Sequence, residues 1–441
     1  MNRISTELPF FVQGLRMQIR QLCLGSIACL ALLSGGLFAN EGNLAFIGAT
    51  LIDGTGADPL ENATLVVTDG RVRALGPVAE VGIPADATRI KPGKVIMPGL
   101  INAHGHAGDT LGLETGHYSR ANLLDQLGLY ARYGVTTVVS LGGDGVEGIT
   151  VRNEQHQASL DRARLFVAGT VVNGSDSASI RRQVNDNADM GVDFIKTRIE
   201  TLPGELPTIS PQLFESLVQL AHTRRLPVAV HIYYLDDAKM ALRAGADVIA
   251  HSVRDEKVDQ EFIELLRAND VCYIPTMMRD VSTFVYEAEP EFFADPFFLR
   301  EADTSVMTVL RSPEYRSRIR NSAAVQQYKA DLPNAIANVA TLHSAGIRVA
   351  MGTDTGPPAR FQGYFEHLEM SMMQDAGMPA TDVIHASTGL AADCMGLSDV
   401  GTLEPGNWAD FLILGTDPTR DVNNTRSLES VWIAGNRVPD R

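Results

Sequence analysis

The chain is 441 residues long, enough for two or three domains or for one large α/β barrel with a small companion. Hydrophobic residues make up 45% and charged residues 20%, which excludes a disordered or low-complexity polypeptide. Lys and Arg number 37 against 53 Asp and Glu, a net charge of −16 that argues against nucleic-acid binding through phosphates, and a single long uncharged stretch excludes a polytopic membrane protein.

That stretch comes first. Arg16 and Arg20 precede an uncharged run from Gln21 to Asn40, mostly apolar between Leu22 and Leu33. Ser34-Gly35-Gly36 breaks it, and Leu37-Phe38-Ala39 fits a signal-peptidase site. The expectation is an exported protein, periplasmic or secreted, with residues 1–39 as signal peptide. Met17 is an alternative start, and an uncleaved anchor is the alternative fate and the one membrane contact expected. Cys23 and Cys29 belong to this segment. Cys272 and Cys394, far apart and in apolar surroundings, read as buried free thiols rather than a disulfide.

Residues 40–98 show short β runs, such as Thr64–Val67 and Arg71–Leu75, with turn signals at Asp53-Gly54 and Asp69-Gly70. Residues 398–441 repeat the style at Ala409–Leu414 and Ser430–Val438. Neither piece is long enough to be stable alone, so both chain ends are expected to build one small β-sandwich. Between them, across 99–397, apolar strands alternate with helical stretches, the pattern of a parallel α/β fold. Eight strands end near 99–106, 136–140, 165–169, 193–196, 227–231, 248–251, 271–275 and 348–354, and helices fit at 122–133, 211–224, 236–244 and 259–269. Eight such units imply a closed (β/α)₈ barrel of the TIM type. The oversized connection at 278–333 is aromatic, charged and mostly helical. It either covers the catalytic face or forms a structural extension or homo-oligomer contact.

In such a barrel the C-terminal strand ends line the active site. Those positions carry His104, His106, Lys196, His231, His251 and Asp354. His104 and His106 are two apart and face the same side. Imidazole and carboxylate ligands of this kind suit zinc or a similar divalent ion.

With these residues in place, the chain resembles the amidohydrolase superfamily from about Ala45 to Val438. Val95–His106, with its His-Gly-His end, resembles the strand-one motif; Gly352-Thr353-Asp354 resembles the strand-eight motif; Gly401–Ile413 resembles the return into the sandwich. The likeness is greatest to imidazolonepropionase-like and prolidase-like members. The resemblance implies two divalent ions, most simply Zn²⁺, with His104, His106 and Asp354 on one, His231 and His251 on the other, and a CO₂-carboxylated Lys196 between them. The alternative for Lys196 is a salt bridge to Glu200 or a solvated ammonium. One-metal deaminases of the superfamily carry a glutamate shortly after the strand-five histidine; here Ile232, Tyr233, Tyr234 and Leu235 follow, which counts against deamination.

Asp354 is the expected general base and acid. Tyr233, two after His231, is placed to stabilise an oxyanion, and Arg198, two after Lys196, to grip a substrate carboxylate. His117, after strand one, is a substrate contact or a packing residue. The implied activity is cleavage of an amide or peptide bond in a small molecule, a dipeptide or an N-acyl amino acid. A cyclic amide or lactone hydrolase and a non-catalytic scaffold are the other readings.

Overall fold

The computed structural model describes residues 42–199 and 209–440, so the signal-like segment and Glu200 lie outside the described residues. Five strands open the fold: β1 (Leu44–Leu51), β2 (Leu60–Thr68), β3 (Arg71–Pro77), β4 (Thr88–Ile90) and β5 (Val95–Pro98). Asp69 and Gly70, with φ of 50° and 76°, make the two-residue turn between β2 and β3, where paired positive φ matches the strand twist.

Alternation follows: β6 (Leu100–Gly105), α1 (Arg120–Arg132), β7 (Val135–Ser140), α2 (Val146–Asn153), β8 (Arg164–Val167), α3 (Ser177–Met190), β9 (Ile195–Arg198), α4 (Pro211–Thr223), β10 (Val228–His231), α5 (Leu235–Arg243), β11 (Val248–Ala250), α6 (Gln260–Ala268) and β12 (Cys272–Ile274). The helix starts are written in the sequence. Ser119, Asp176, Ser210 and Asp259 each accept a backbone N–H of the following turn, and Pro211 sits where a missing N–H costs nothing. The insertion supplies α7 (Met277–Phe284), α8 (Pro296–Leu299), α9 (Thr304–Leu310), α10 (Pro313–Arg320) and α11 (Ala323–Ser344), packed around Tyr286, Phe292, Phe293 and Phe298. Helices α12 (Tyr364–Asp375), α13 (Ala380–Ala386) and α14 (Gly389–Cys394) precede β13 (Phe411–Leu414), β14 (Leu428–Ile433) and β15 (Asn436–Arg437). No described helix is long and apolar enough to cross a membrane.

The two chain ends do combine, within one sheet of order β15-β14-β13-β5-β1-β2-β3, with β4 added to β1. Phe46 packs edge-on against Phe411 and Trp432, so residues from both ends share one apolar cluster. The parallel strands form two sheets, β6-β7-β8 and β9-β10-β11-β12. Their residues are buried almost throughout, as parallel strands covered by helices must be. An isolated bridge joins Val172, in the segment after β8, to Thr197 of β9.

The eighth expected strand is not a regular strand. Residues 348–355 run between β12 and β6, with bridges Tyr273–Val349 and Gly105–Thr355 and a hydrogen bond from Ala103 N to Met351 O of 3.0 Å. The ladder breaks because Asp354 has φ 56° and the Thr353 and Asp354 N–H groups both donate to His104 O.

The free-thiol expectation is overturned: Cys272 and Cys394 form a disulfide, with Cα atoms 5.7 Å apart. Cys272 opens β12 and Cys394 closes α14, and the tertiary fold brings together what 122 residues separate.

A buried ion pair joins the parallel strands to the sheet of chain ends. Arg164 Nε of β8 lies 2.6 Å from Asp410 Oδ2, both side chains at most 3% exposed, and the guanidinium also covers Trp408. Asp410→Ala would leave that guanidinium uncompensated, so we expect a loss of about 3–5 kcal/mol in stability, read by denaturant or thermal unfolding. An unchanged midpoint would mean that water reaches Arg164.

Candidate metal centre

His104 belongs to β6, His106 follows it, Lys196 lies in β9, His231 ends β10, His251 follows β11, and Asp354 sits in the bridging segment. The fold brings all six to one place. Donor atoms of His104, His106 and Asp354 lie within 4.8 Å of one another. Lys196 Nζ is 3.4 Å from His104 Nε2. The rings of His104 and His251 approach to 4.6 Å, and those of His231 and His251 to 4.0 Å.

The backbone bends sharply to achieve this. His251 has φ 75° and Asp354 φ 56°, both in the left-handed region that costs a non-glycine residue energy and concentrates at functional sites. Gly352 and Gly356 permit the close approach. A Cβ at Gly352 would meet His104 N at 2.9 Å, and one at Gly356 would meet His106 O at 2.4 Å.

Electrostatics suit cation binding. Burial drives His104 and His251 well below the usual imidazole range, so both rings stay neutral and able to ligate. Burial lowers Lys196 to about 7 against the opposing pull of Asp354, leaving an amine rather than a firm ammonium near neutrality. Burial alone would raise Asp354, but the Arg360 guanidinium and the hydrogen bond from His106 outweigh it and hold the carboxyl well below its ordinary value. Buried His104 Nδ1 has no hydrogen-bond partner among the described residues. With Nε2 of His104 turned toward Asp354 and Lys196, four imidazoles and a carboxylate form a donor set that fits a divalent cation.

Several supporting residues escape sequence reasoning. Asn102 Oδ1 accepts from the N–H groups of His104 and Thr353, tying the two ligand-bearing segments together, and Asn102 Nδ2 donates to Glu366 Oε1 at 2.6 Å. Thr353 and Thr355 donate to the same Glu366 oxygen. One turn further along α12, Glu369 accepts from Met277 N and Met278 N at the start of α7. Next to that start, Thr276 Oγ1 lies 2.6 Å from His251 Nδ1 and fixes its ring. Burial pushes Glu366 to about 7 and Glu369 to about 8. Arg360 Nη1 donates to Asp354 Oδ2 at 2.5 Å, with Arg279 Nε 3.9 Å from the same oxygen.

Of the expected substrate contacts, Arg198 ends and Tyr233 closely follows a strand of the centre, whereas His117 lies in a loop. The Tyr233 hydroxyl donates to Asp331 of α11, and Arg254 lies 4.8 Å over its ring. Arg198 ends β9 opposite His231 in register. His117 is partly exposed, 3.6 Å from Glu114, and none of its described contacts is with the cluster.

Residues 95–438 match the profile of the Amidohydrolase family. Among curated proteins the chain is similar to imidazolonepropionase of Deinococcus deserti, 24% identical over 403 residues that cover 86% of this chain and 92% of that one. It is similar to ochratoxinase of Aspergillus niger, 22% identical over 456 residues that cover 90% and 87%. Among solved structures, a Xaa-Pro dipeptidase with bound methionine in its active site superposes with a TM-score of 0.71 at 20% identity, covering 90% of this chain and 99% of that one. With that profile matched over most of its length, the chain belongs to the Amidohydrolase family and is a hydrolase of amide carbon–nitrogen bonds.

Proposed function

We propose that the protein is an exported amidohydrolase with a binuclear metal centre that cleaves the amide or peptide bond of a dipeptide or N-acyl amino acid. The observation that carries this reading is the convergence of four imidazoles, Lys196 and Asp354 on one point. The bridges on both sides of residues 348–355 support a closed eight-membered barrel, and the shared sheet supports a companion domain made from both chain ends. The Cys272–Cys394 disulfide supports export, since oxidising compartments preserve such bonds.

Two divalent cations, most simply zinc, supply a water activated at neutral pH and an electrophile for the scissile carbonyl when bound. His104, His106 and Asp354 would hold one and His231 and His251 the other, with Lys196 as a carbamate between them. Forming that carbamate joins the neutral amine to CO₂ and releases one proton. Asp354 takes the proton of the attacking water on Oδ1 and returns it to the leaving nitrogen. Oδ1 suits the task because it faces His104 and His106, whereas Arg360 occupies Oδ2 on the other side. Tyr233, two residues after His231, would donate to the developing oxyanion once its hydroxyl leaves Asp331.

A screen of dipeptides and N-acyl amino acids, with metal analysis of the same preparation, tests this. We expect about two divalent ions per chain, activity lost on chelation and activity restored by zinc. Fully active protein with one ion or none would end the binuclear reading.

A further inference from the structure

The two oxygens of Asp354 face different chemistry. Oδ1 lies 2.8 Å from His106 Nε2 and 3.6 Å from His104 Nε2. Oδ2 accepts from Arg360 Nη1 and lies 3.9 Å from Arg279 Nε. Among the described residues, the Arg360 guanidinium hydrogen-bonds only to Asp354, through this carboxylate and the backbone carbonyl. Once Asp354 commits its negative charge to bound cations, the buried guanidinium loses its hydrogen-bonded counter-charge, and Asp280 compensates it only at longer range. A buried charge in that position calls for another anion beside it.

Room for one is present. The Arg360 side chain is 18% exposed and lines a cavity of about 240 Å³. Leu129 of α1, Val306 of α9 and Phe361 give that cavity an apolar wall. Glu301 and Asp303 also line it, but Glu301 pairs with Arg132 at 2.9 Å and Asp303 caps α9 through the N–H groups of Ser305 and Val306. The remaining acid, Asp125, disfavours a second anionic side chain there.

Resting on the amide-hydrolase reading, we propose that Arg360 is the specificity-determining residue: it binds the free α-carboxylate of the amino acid on the leaving-amine side, whose apolar side chain enters the adjacent cavity. Guanidinium offers a carboxylate the two-pronged geometry that suits it. Arg198, the carboxylate grip expected from sequence, takes no part in this recognition.

Calorimetry on zinc-loaded full-length protein tests the assignment without turnover, using L-leucine and L-leucinamide. We expect the parent to bind leucine about 30-fold more tightly, the scale of a charge-assisted hydrogen-bonded pair. Arg360→Gln should bring the two ligands within about threefold, Arg360→Lys should cut the preference by about tenfold, and Arg198→Gln should keep it. Metal content equal to the parent's checks that each variant retains its centre, and Arg360→Lys decides the matter if Arg360→Gln does not fold. A parent with no preference for leucine overturns the assignment, as does a full preference in Arg360→Gln or Arg360→Lys, or its loss in Arg198→Gln alone. Val306→Trp should weaken leucine binding without weakening glycine binding; equal weakening would remove the cavity from the assignment. Failure to hydrolyse every dipeptide and N-acyl amino acid in the screen, alongside an intact carboxylate preference, would sink the amide-hydrolase reading while leaving Arg360 its role.

Discussion

Asp354→Asn should lower kcat by about 10²-fold or more while leaving KM within a few-fold, because the lost proton transfer exists only in the transition state. An amide at this position offers one acceptor oxygen and one N–H₂ group. If its oxygen faces the histidines, its N–H₂ faces Arg360 and Arg279, both donors. If it flips, the side facing His106 loses its acceptor. Either orientation leaves no group able to take a proton from water. It also leaves the Arg360 guanidinium without its carboxylate, so thermal stability should fall together with kcat. The measurement is steady-state kinetics with metal content determined on the same samples. Turnover within a few-fold of the parent at unchanged metal content would move the proton shuttle elsewhere, with Tyr233 and His117 the next residues to replace.

Lys196→Ala should abolish activity and lower metal content. Short carboxylic acids should partly restore both, because they return an anionic oxygen to the gap the carbamate leaves. Lys196→Arg is the sharper test. Guanidinium cannot form a carbamate and stays charged, so it would place a fixed cation beside His104, whose Nε2 now lies 3.4 Å from Lys196 Nζ. The expected outcome is loss of metal with the fold retained. Near-parental activity in Lys196→Arg would show that the lysine has only a structural role.

The six proposed ligands can be picked out because each stands at the end of an apolar run, and the parallel α/β pattern tells which end of a strand to search. His104 and His106 needed only the two-residue strand period. Arg360 was not legible, since an arginine six residues past the last strand-end ligand reads as an ordinary loop cation. Glu366 and Glu369 look like the polar face of a surface helix, yet both are fully buried beneath the turns that carry Asp354 and His251. The segment at 348–355 reads as a regular strand from its apolar run at Val349–Met351, whereas its bend depends on contacts with His104 that sequence does not display. The disulfide was missed for the same reason. Sequence distance says nothing about the space between the start of β12 and the end of α14.

The shared sheet has a consequence for the order of synthesis. Val95 of β5 pairs with Leu414 of β13, more than three hundred residues later. Until β13 is made, β5 offers unpaired backbone groups and apolar side chains as an open edge, a template for pairing with other chains. The parallel strands between them are complete before that edge can be closed, so the final docking step awaits the C-terminal segment and pays for a very long loop. Chains ending before Phe411 should therefore fail by self-association rather than by simple loss of a peripheral strand, and a stalled or clipped C-terminus becomes an aggregation hazard for the whole molecule.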